Sequence, residues 1–128
     1  MRKEITDRKD VSLLVNQFYA KVRADEDLGP IFNGIITDWE EHLEKLTDFW
    51  EMNLFGKRIY DGNPMIAHQK ADTLTGNKIT PYHFGIWINH WFATIDNYFE
   101  GENADILKSR ARKMQTLLMV SIFEHRGK

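Results

Sequence analysis

Tyr60-Asp61-Gly62-Asn63-Pro64-Met65-Ile66-Ala67-His68 is the stretch whose reading decides the fold. Tyr60 to Pro64 is a turn cluster, and a short apolar helical step follows it and ends in a histidine. Pro64 suits the first position of such a step, because its ring presets φ and its missing N–H needs no partner there. From Gly56 to Thr80 the spacing predicts no long helix, and Gly76-Asn77 reads as a second turn. A segment of this length between helices is usually functional or mobile. His68 is its candidate metal ligand, since imidazole is the commonest one.

On either side of this stretch the apolar residues recur at helical spacing. Val11, Leu14, Val15, Phe18, Tyr19 and Val22 form one stripe, with Asp7 or Asp10 available as its cap. Asp25 to Pro30 ends that helix, and Ile31-Phe32 is a brief apolar step broken at Gly34. Thr37-Asp-Trp-Glu40 reads as a capping box. It precedes a second stripe of Trp39, His42, Leu43, Leu46, Phe49, Trp50, Asn53 and Leu54, closed by Gly56. Thr80-Pro81 starts a third, with Phe84, Trp87, Ile88, Trp91, Ile95 and Tyr98. After a break at Glu100 to Asn103, a last helix runs from about Ala104 to Glu124, with Leu107, Ala111, Met114, Leu118 and Ile122 inward. Alternating strand patterns and internal repeats are absent, so the fold class is all-α.

The chain has 128 residues, enough for one domain over 1–128. With 42% hydrophobic residues it can bury a core. A formal charge of −2 points to no nucleic acid and no anionic membrane as partner. The absence of cysteine removes disulfides, thiolate ligands and a Cys nucleophile. No apolar run approaches the ~18 residues of a membrane span, and the first ten residues hold no signal-peptide segment. A cytoplasmic location is expected.

The histidines His42, His68, His83, His90 and His125 form no pair on one helix face with a third ligand in view, which argues against zinc or di-iron. Glu41 and Glu44 flank His42 and read as solvated charges. No phosphate loop or nucleophile elbow occurs. Tyr19, His42 and Trp87 each place a hydrogen-bonding group on an otherwise apolar stripe. Aromatic residues in such places are usually core, and a buried histidine is commonly satisfied by its neighbours. If the stripes face one another, however, the three groups converge in a dry place. Each buried donor left alone there costs about 1–3 kcal/mol, and a polar diatomic ligand would satisfy them. A haem needs one axial protein ligand and a flat apolar slot, which a lone histidine among apolar residues can supply. His68 as a plain loop histidine stays open on spacing alone.

These residues resemble the truncated haemoglobins, and among them the third group. The resemblance is carried by Phe18-Tyr19, by Asp27-Leu-Gly-Pro-Ile-Phe32, and by Trp39-Glu-Glu-His42 with Phe49-Trp50. It continues through Tyr60-x-Gly-x-Pro64 with His68, then Trp87, then Thr94-Ile-Asp-x-x-Phe99-x-Gly101-x-x-Ala104. The pieces occur in order over nearly the whole chain, and the paired glycines of other truncated haemoglobins are absent.

The resemblance implies a globin-like, two-over-two helical sandwich with a loop-rich proximal segment. It implies haem b (iron protoporphyrin IX) as cofactor, with His68 as the proximal iron ligand. Tyr19, His42 and Trp87 would then line the distal side. Phe32, Leu46, Phe49, Trp50, Tyr60 and Trp87 would contact the haem. The expected partners are O2 or other diatomic ligands and a reductase of unknown identity, for a monomer or weak homodimer. The expected function is ligand binding at ferrous iron in a polar pocket suited to redox chemistry on O2, nitric oxide or peroxide rather than O2 transport. Nitric oxide dioxygenase-like or peroxidase-like activity follows from that pocket. A haem-based gas sensor, a haem carrier without turnover, and a cofactor-free helical interaction domain are the alternatives.

Overall fold

The computed structural model describes residues 2–56 and 79–126. Tyr60, the turn cluster and the step from Pro64 to His68 lie outside the described residues. Within them the helices are α1 (Arg8–Ala24), α2 (Gly29–Ile35), α3 (Trp39–Phe55), α4 (Pro81–Tyr98) and α5 (Glu102–Arg126).

In α1 the expected stripe from Val11 to Val22 is buried throughout. Of the two candidate caps, Asp7 takes the position, its carboxylate accepting from the Asp10 amide at 3.1 Å. The Asp10 carboxylate turns back to the Thr6 amide at 2.9 Å and to Lys3 at 2.5 Å.

The helix α2 does not break at Gly34 but runs through it to Ile35, and the Ile36 amide still bonds to the Phe32 carbonyl at 2.9 Å. A glycine weakens a helix interior by only about 1 kcal/mol, which the packing of neighbouring Phe32 and Ile35 can offset. Gly29 is the glycine that matters here. A Cβ on it would lie 2.6 Å from the Arg23 carbonyl oxygen, so only glycine lets α2 fold back against the end of α1.

The capping residue of α3 is Asp38, one position later than the expected Thr37, and its carboxylate accepts from the Glu41 amide at 3.1 Å. A charged oxygen is the better partner for the positive end of a helix dipole. Gly56, at φ 78°, closes the helix as expected.

The last helix begins at Glu102, ahead of the expected Ala104, because the N-terminal segment caps it. The Glu4 carboxylate accepts from the amides of Glu102 (3.0 Å) and Asn103 (3.1 Å). Beside it the Glu100 amide bonds to the Lys3 carbonyl at 2.9 Å, and Ile5 is fully buried. Gly101 sits at φ 106°, and a Cβ there would run into the Glu4 carboxylate. Gly101→Ala is therefore expected to destabilise the protein by about 1–3 kcal/mol through backbone strain, with loss of the cap added. Chemical denaturation checks this, and an unchanged midpoint would show that the Glu4 cap is dispensable.

The helices pack as two layers. One is α1 with α3, the other α4 with α5; α1 lies against α4 and α3 against α5. This is the two-over-two arrangement. Trp50, Trp91, Phe18 and Phe99 are the largest side chains in the core between the layers. Arg8 ties α1 to α3 through Asp48 at 2.7 Å and through Glu44, whose side chain stays largely exposed, as expected of a solvated charge. The buried Glu51 carboxylate faces the same guanidinium at 3.5 Å. No described helix is long and apolar enough to cross a membrane.

Candidate functional site

Between the layers and α2 lies a cavity of about 240 Å³. That far exceeds the ~10–15 Å³ needed for one water, so it has room for a small-molecule group. Its lining is almost wholly apolar. Leu28, Ile31, Phe32, Ile35 and Ile36 come from α2 and its flanks, Leu46, Phe49 and Trp50 from α3. Ile79, Phe84 and Trp87 come from α4 and the residues before it, and Met114 and Leu118 from α5. Among the described residues, the polar side chains on its wall are Tyr19, His42, His83 and Gln115, with Trp87 beside them. Thus Tyr19, His42, Trp87, Phe32, Leu46, Phe49 and Trp50, marked from the sequence, share one cavity. Tyr60 and His68 lie outside the described residues.

Tyr19 projects from the buried stripe of α1, with Phe32, Trp39 and His42 ringed around it at centroid distances of 6.0, 5.9 and 6.4 Å. Burial pushes its hydroxyl pKa far above the usual phenol value, and the hydrogen bond from the Trp87 indole works the other way. Tyr19 is therefore a neutral hydroxyl with a proton to give at any physiological pH. His42, on the cavity-facing side of α3, meets Trp39 edge-on at 5.8 Å. Two donors and an imidazole in an apolar cavity suit a small polar ligand held beside a flat apolar group.

His83, Gln115 and the isoleucines of α2 were not singled out as site residues in the sequence. His83 is the third residue of α4, and its Nδ1 accepts from the Thr80 amide at 3.0 Å. In the neutral ring the proton is therefore on Nε2. The motif is a capping box with histidine where Glu or Gln is usual, so the sequence held little sign of it. Ile31, Ile35 and Ile36 have no helical stripe long enough to mark them; only tertiary contact brings them to the cavity.

The wall made by α2 is held from α4. Asp25 Oδ1 accepts from the amides of Asp27 (2.8 Å) and Leu28 (3.0 Å), and its Oδ2 pairs with His90 Nε2 at 2.8 Å. Tyr82 donates to Asp27 at 2.8 Å. The His90 bond first, with the Leu28 and Asp27 amides, holds the Asp25 carboxyl below its ordinary range against the opposing effect of burial. A carboxyl depressed in the folded state adds stability above its unfolded pKa of about 3.9 and loses it as pH falls through the lower folded value. Acid unfolding of Asp25→Asn should accordingly show a shallower fall in stability below about pH 4 than the natural chain. Identical acid profiles would remove Asp25 from this role.

Among the described residues no group of three or more His, Cys, Asp or Glu side chains is placed to hold a metal ion. The apolar cavity with its few donors does fit a haem.

The comparisons agree. The sequence model of the bacterial-like globins matches residues 3–121. The chain is 28% identical over 131 aligned positions to the group 3 truncated hemoglobin ctb of Campylobacter jejuni, covering 99% of both chains. It is 35% identical over 81 positions to the group 1 truncated hemoglobin GlbN of Mycolicibacterium paratuberculosis, covering 62% of this chain and 54% of that one. The crystal structure of the group III truncated hemoglobin from Campylobacter jejuni superposes with a TM-score of 0.84 over 95% of each chain, at 28% identity. The 2/2 hemoglobin from Synechococcus sp. PCC 7002, in the cyanomet state with covalently attached heme, shares the fold at a TM-score of 0.73 and 22% identity, over 91% of this chain and 92% of that one. A matched globin model over nearly the whole chain, on a two-over-two fold shared with a group III truncated haemoglobin, places this protein in the bacterial-like globin family, whose members bind haem and through it O2 and other small diatomic ligands.

Proposed function

We propose that the cavity holds haem b and that the protein performs redox chemistry on O2, nitric oxide or peroxide rather than O2 transport. The observation that carries this reading is the buried, neutral Tyr19 hydroxyl beside the Trp87 indole in an otherwise apolar cavity. When bound, the haem supplies an iron that takes up a diatomic ligand and shifts negative charge onto it.

The chain's own residues do the rest. His68 would hold the haem iron as its ligand from the protein. Tyr19 and Trp87 donate to the ligand in a site of low dielectric, where hydrogen bonds to a charged acceptor are about twice as strong as neutral ones. His42, whose ring meets that of Tyr19 edge-on, supplies a third polar group or controls ligand access. Phe32, Leu46, Phe49 and Trp50 would exclude water and pack on the cofactor, a role also assigned to Tyr60. Ligand held this firmly leaves slowly, which suits reaction better than delivery.

The test is haem reconstitution of the purified protein, followed by ferrous O2 binding and by consumption of nitric oxide and of peroxide. A Soret band, slow O2 release and consumption faster than free haem are expected. Haem uptake with no accelerated consumption would turn the reading to a sensor or carrier. No uptake would leave a helical interaction domain.

A further inference from the structure

Three of the four tryptophans form one stack. Trp50 of α3 and Trp91 of α4 have ring centroids 4.6 Å apart at an interplanar angle of 28°. Trp91 and Trp87, one helical turn apart on α4, are 5.9 Å apart at 10°. Trp50 and Trp87 both line the cavity, while Trp91 between them is fully buried. The fourth, Trp39, stands outside the stack, and the Arg23 guanidinium lies 4.5 Å from its ring centroid.

Offset stacks such as this fill a core well, but they also have a redox property. In a chain without cysteine, indole and phenol are the side chains most easily oxidised by one electron. Two nearly parallel indoles in contact share the resulting positive charge, which lowers its cost. A guanidinium over the ring has the opposite effect by direct repulsion, so Trp39 is a poor electron donor. The stack borders the cavity at both ends, through Trp50 and Trp87, and its shared charge needs no proton acceptor, whereas oxidation of Tyr19 would require its proton to move, with the His42 imidazole as the nearby base.

We propose that the Trp50–Trp91–Trp87 stack is a one-electron donor to the cofactor, acting when the cofactor meets a peroxide. This rests on the haem reading above. Hydrogen peroxide takes up two electrons as its O–O bond breaks; one oxygen would leave as water with both protons and the other would stay with the cofactor. With the haem starting in the ferric state, its iron would supply one electron and the stack the second. No proton leaves the indoles. The Trp91 Nε1–H donates to the Leu107 carbonyl at 3.2 Å, and a peptide carbonyl is too weak a base to remove it. The product is an indole radical cation shared by Trp50 and Trp91, which keeps the oxidising charge off the cofactor and off Tyr19.

The experiment uses the haem-loaded protein, with the Soret band confirming loading first. A missing band overturns the haem reading and with it the donor role, whereas the outcomes below bear on the stack alone. The loaded protein is mixed with one equivalent of hydrogen peroxide, frozen within seconds and examined by electron paramagnetic resonance. Natural protein is compared with protein carrying ring-deuterated tryptophan or ring-deuterated tyrosine. An organic radical is expected whose hyperfine pattern changes with the tryptophan label and not with the tyrosine label. Trp50→Phe and Trp91→Phe are expected to lose that signal, and Trp39→Phe to keep it. Near-ultraviolet circular dichroism confirms that each variant is folded, and the labelled natural chain carries the test if one is not. A loaded protein that forms no radical, a signal that follows the tyrosine label, or a signal undiminished in both stack variants would overturn the proposal.

Discussion

His68→Ala is expected to abolish stable haem binding: the Soret band of the reconstituted protein should be lost or shifted to that of free haem. Removing a group that merely orients a metal ligand lowers affinity by about 10–100-fold, so removing the single axial ligand should cost more than about 100-fold. Titration of the variant with free imidazole, which can fill the vacated position and restore the spectrum, separates loss of the ligand from loss of the fold. An unaltered Soret band in His68→Ala would transfer the proximal role to another histidine. His42 and His83, which line the cavity, would be the candidates.

Tyr19→Phe is expected to accelerate O2 release from the ferrous protein by about tenfold or more. One hydrogen bond to a ligand carrying charge contributes about 1.5–3 kcal/mol, and about 1.4 kcal/mol is a factor of ten. The substitution keeps the ring that packs against Phe18, Phe32 and Trp39, so the change is confined to the hydroxyl. It also leaves the Trp87 indole without the acceptor it has in the natural protein. The double variant Tyr19→Phe, Trp87→Phe is therefore expected to release O2 at least as fast, but by less than the two single effects combined, because the two donors act as one unit. Stopped-flow displacement of O2 by carbon monoxide measures the rate, and a rate equal to the natural one would take Tyr19 out of ligand stabilisation.

The helical periodicities were legible because each helix buries one face. The stripe from Val11 to Val22 and that from Phe84 to Ile95 announce themselves at 3.6-residue spacing. So did most of the cavity, since a tyrosine, a histidine and a tryptophan on apolar stripes are conspicuous. What escaped was whatever depends on contact between segments distant in the chain. The Glu4 carboxylate capping α5 joins residues almost a hundred positions apart, and nothing in Met-Arg-Lys-Glu foretells it. The displaced cap of α3 was a local competition between two good capping residues, which neither pattern nor composition decides. His83 looked like one histidine among five until Thr80 fixed its ring and the fold set it on the cavity wall.

By itself, then, the sequence determined that this is an all-α chain with three apolar stripes, each interrupted by one hydrogen-bonding group, because burial of a helix face leaves a periodic record in the residues. Only the tertiary structure decided that those groups meet in one cavity, that α2 closes it under the hold of Asp25 and Asp27 on α4, and that three tryptophans from two helices stack beside it. Such meetings depend on how helices cross, and the angle and register of a crossing are set by the fit of all the side chains between them, a property that no single stretch of sequence contains.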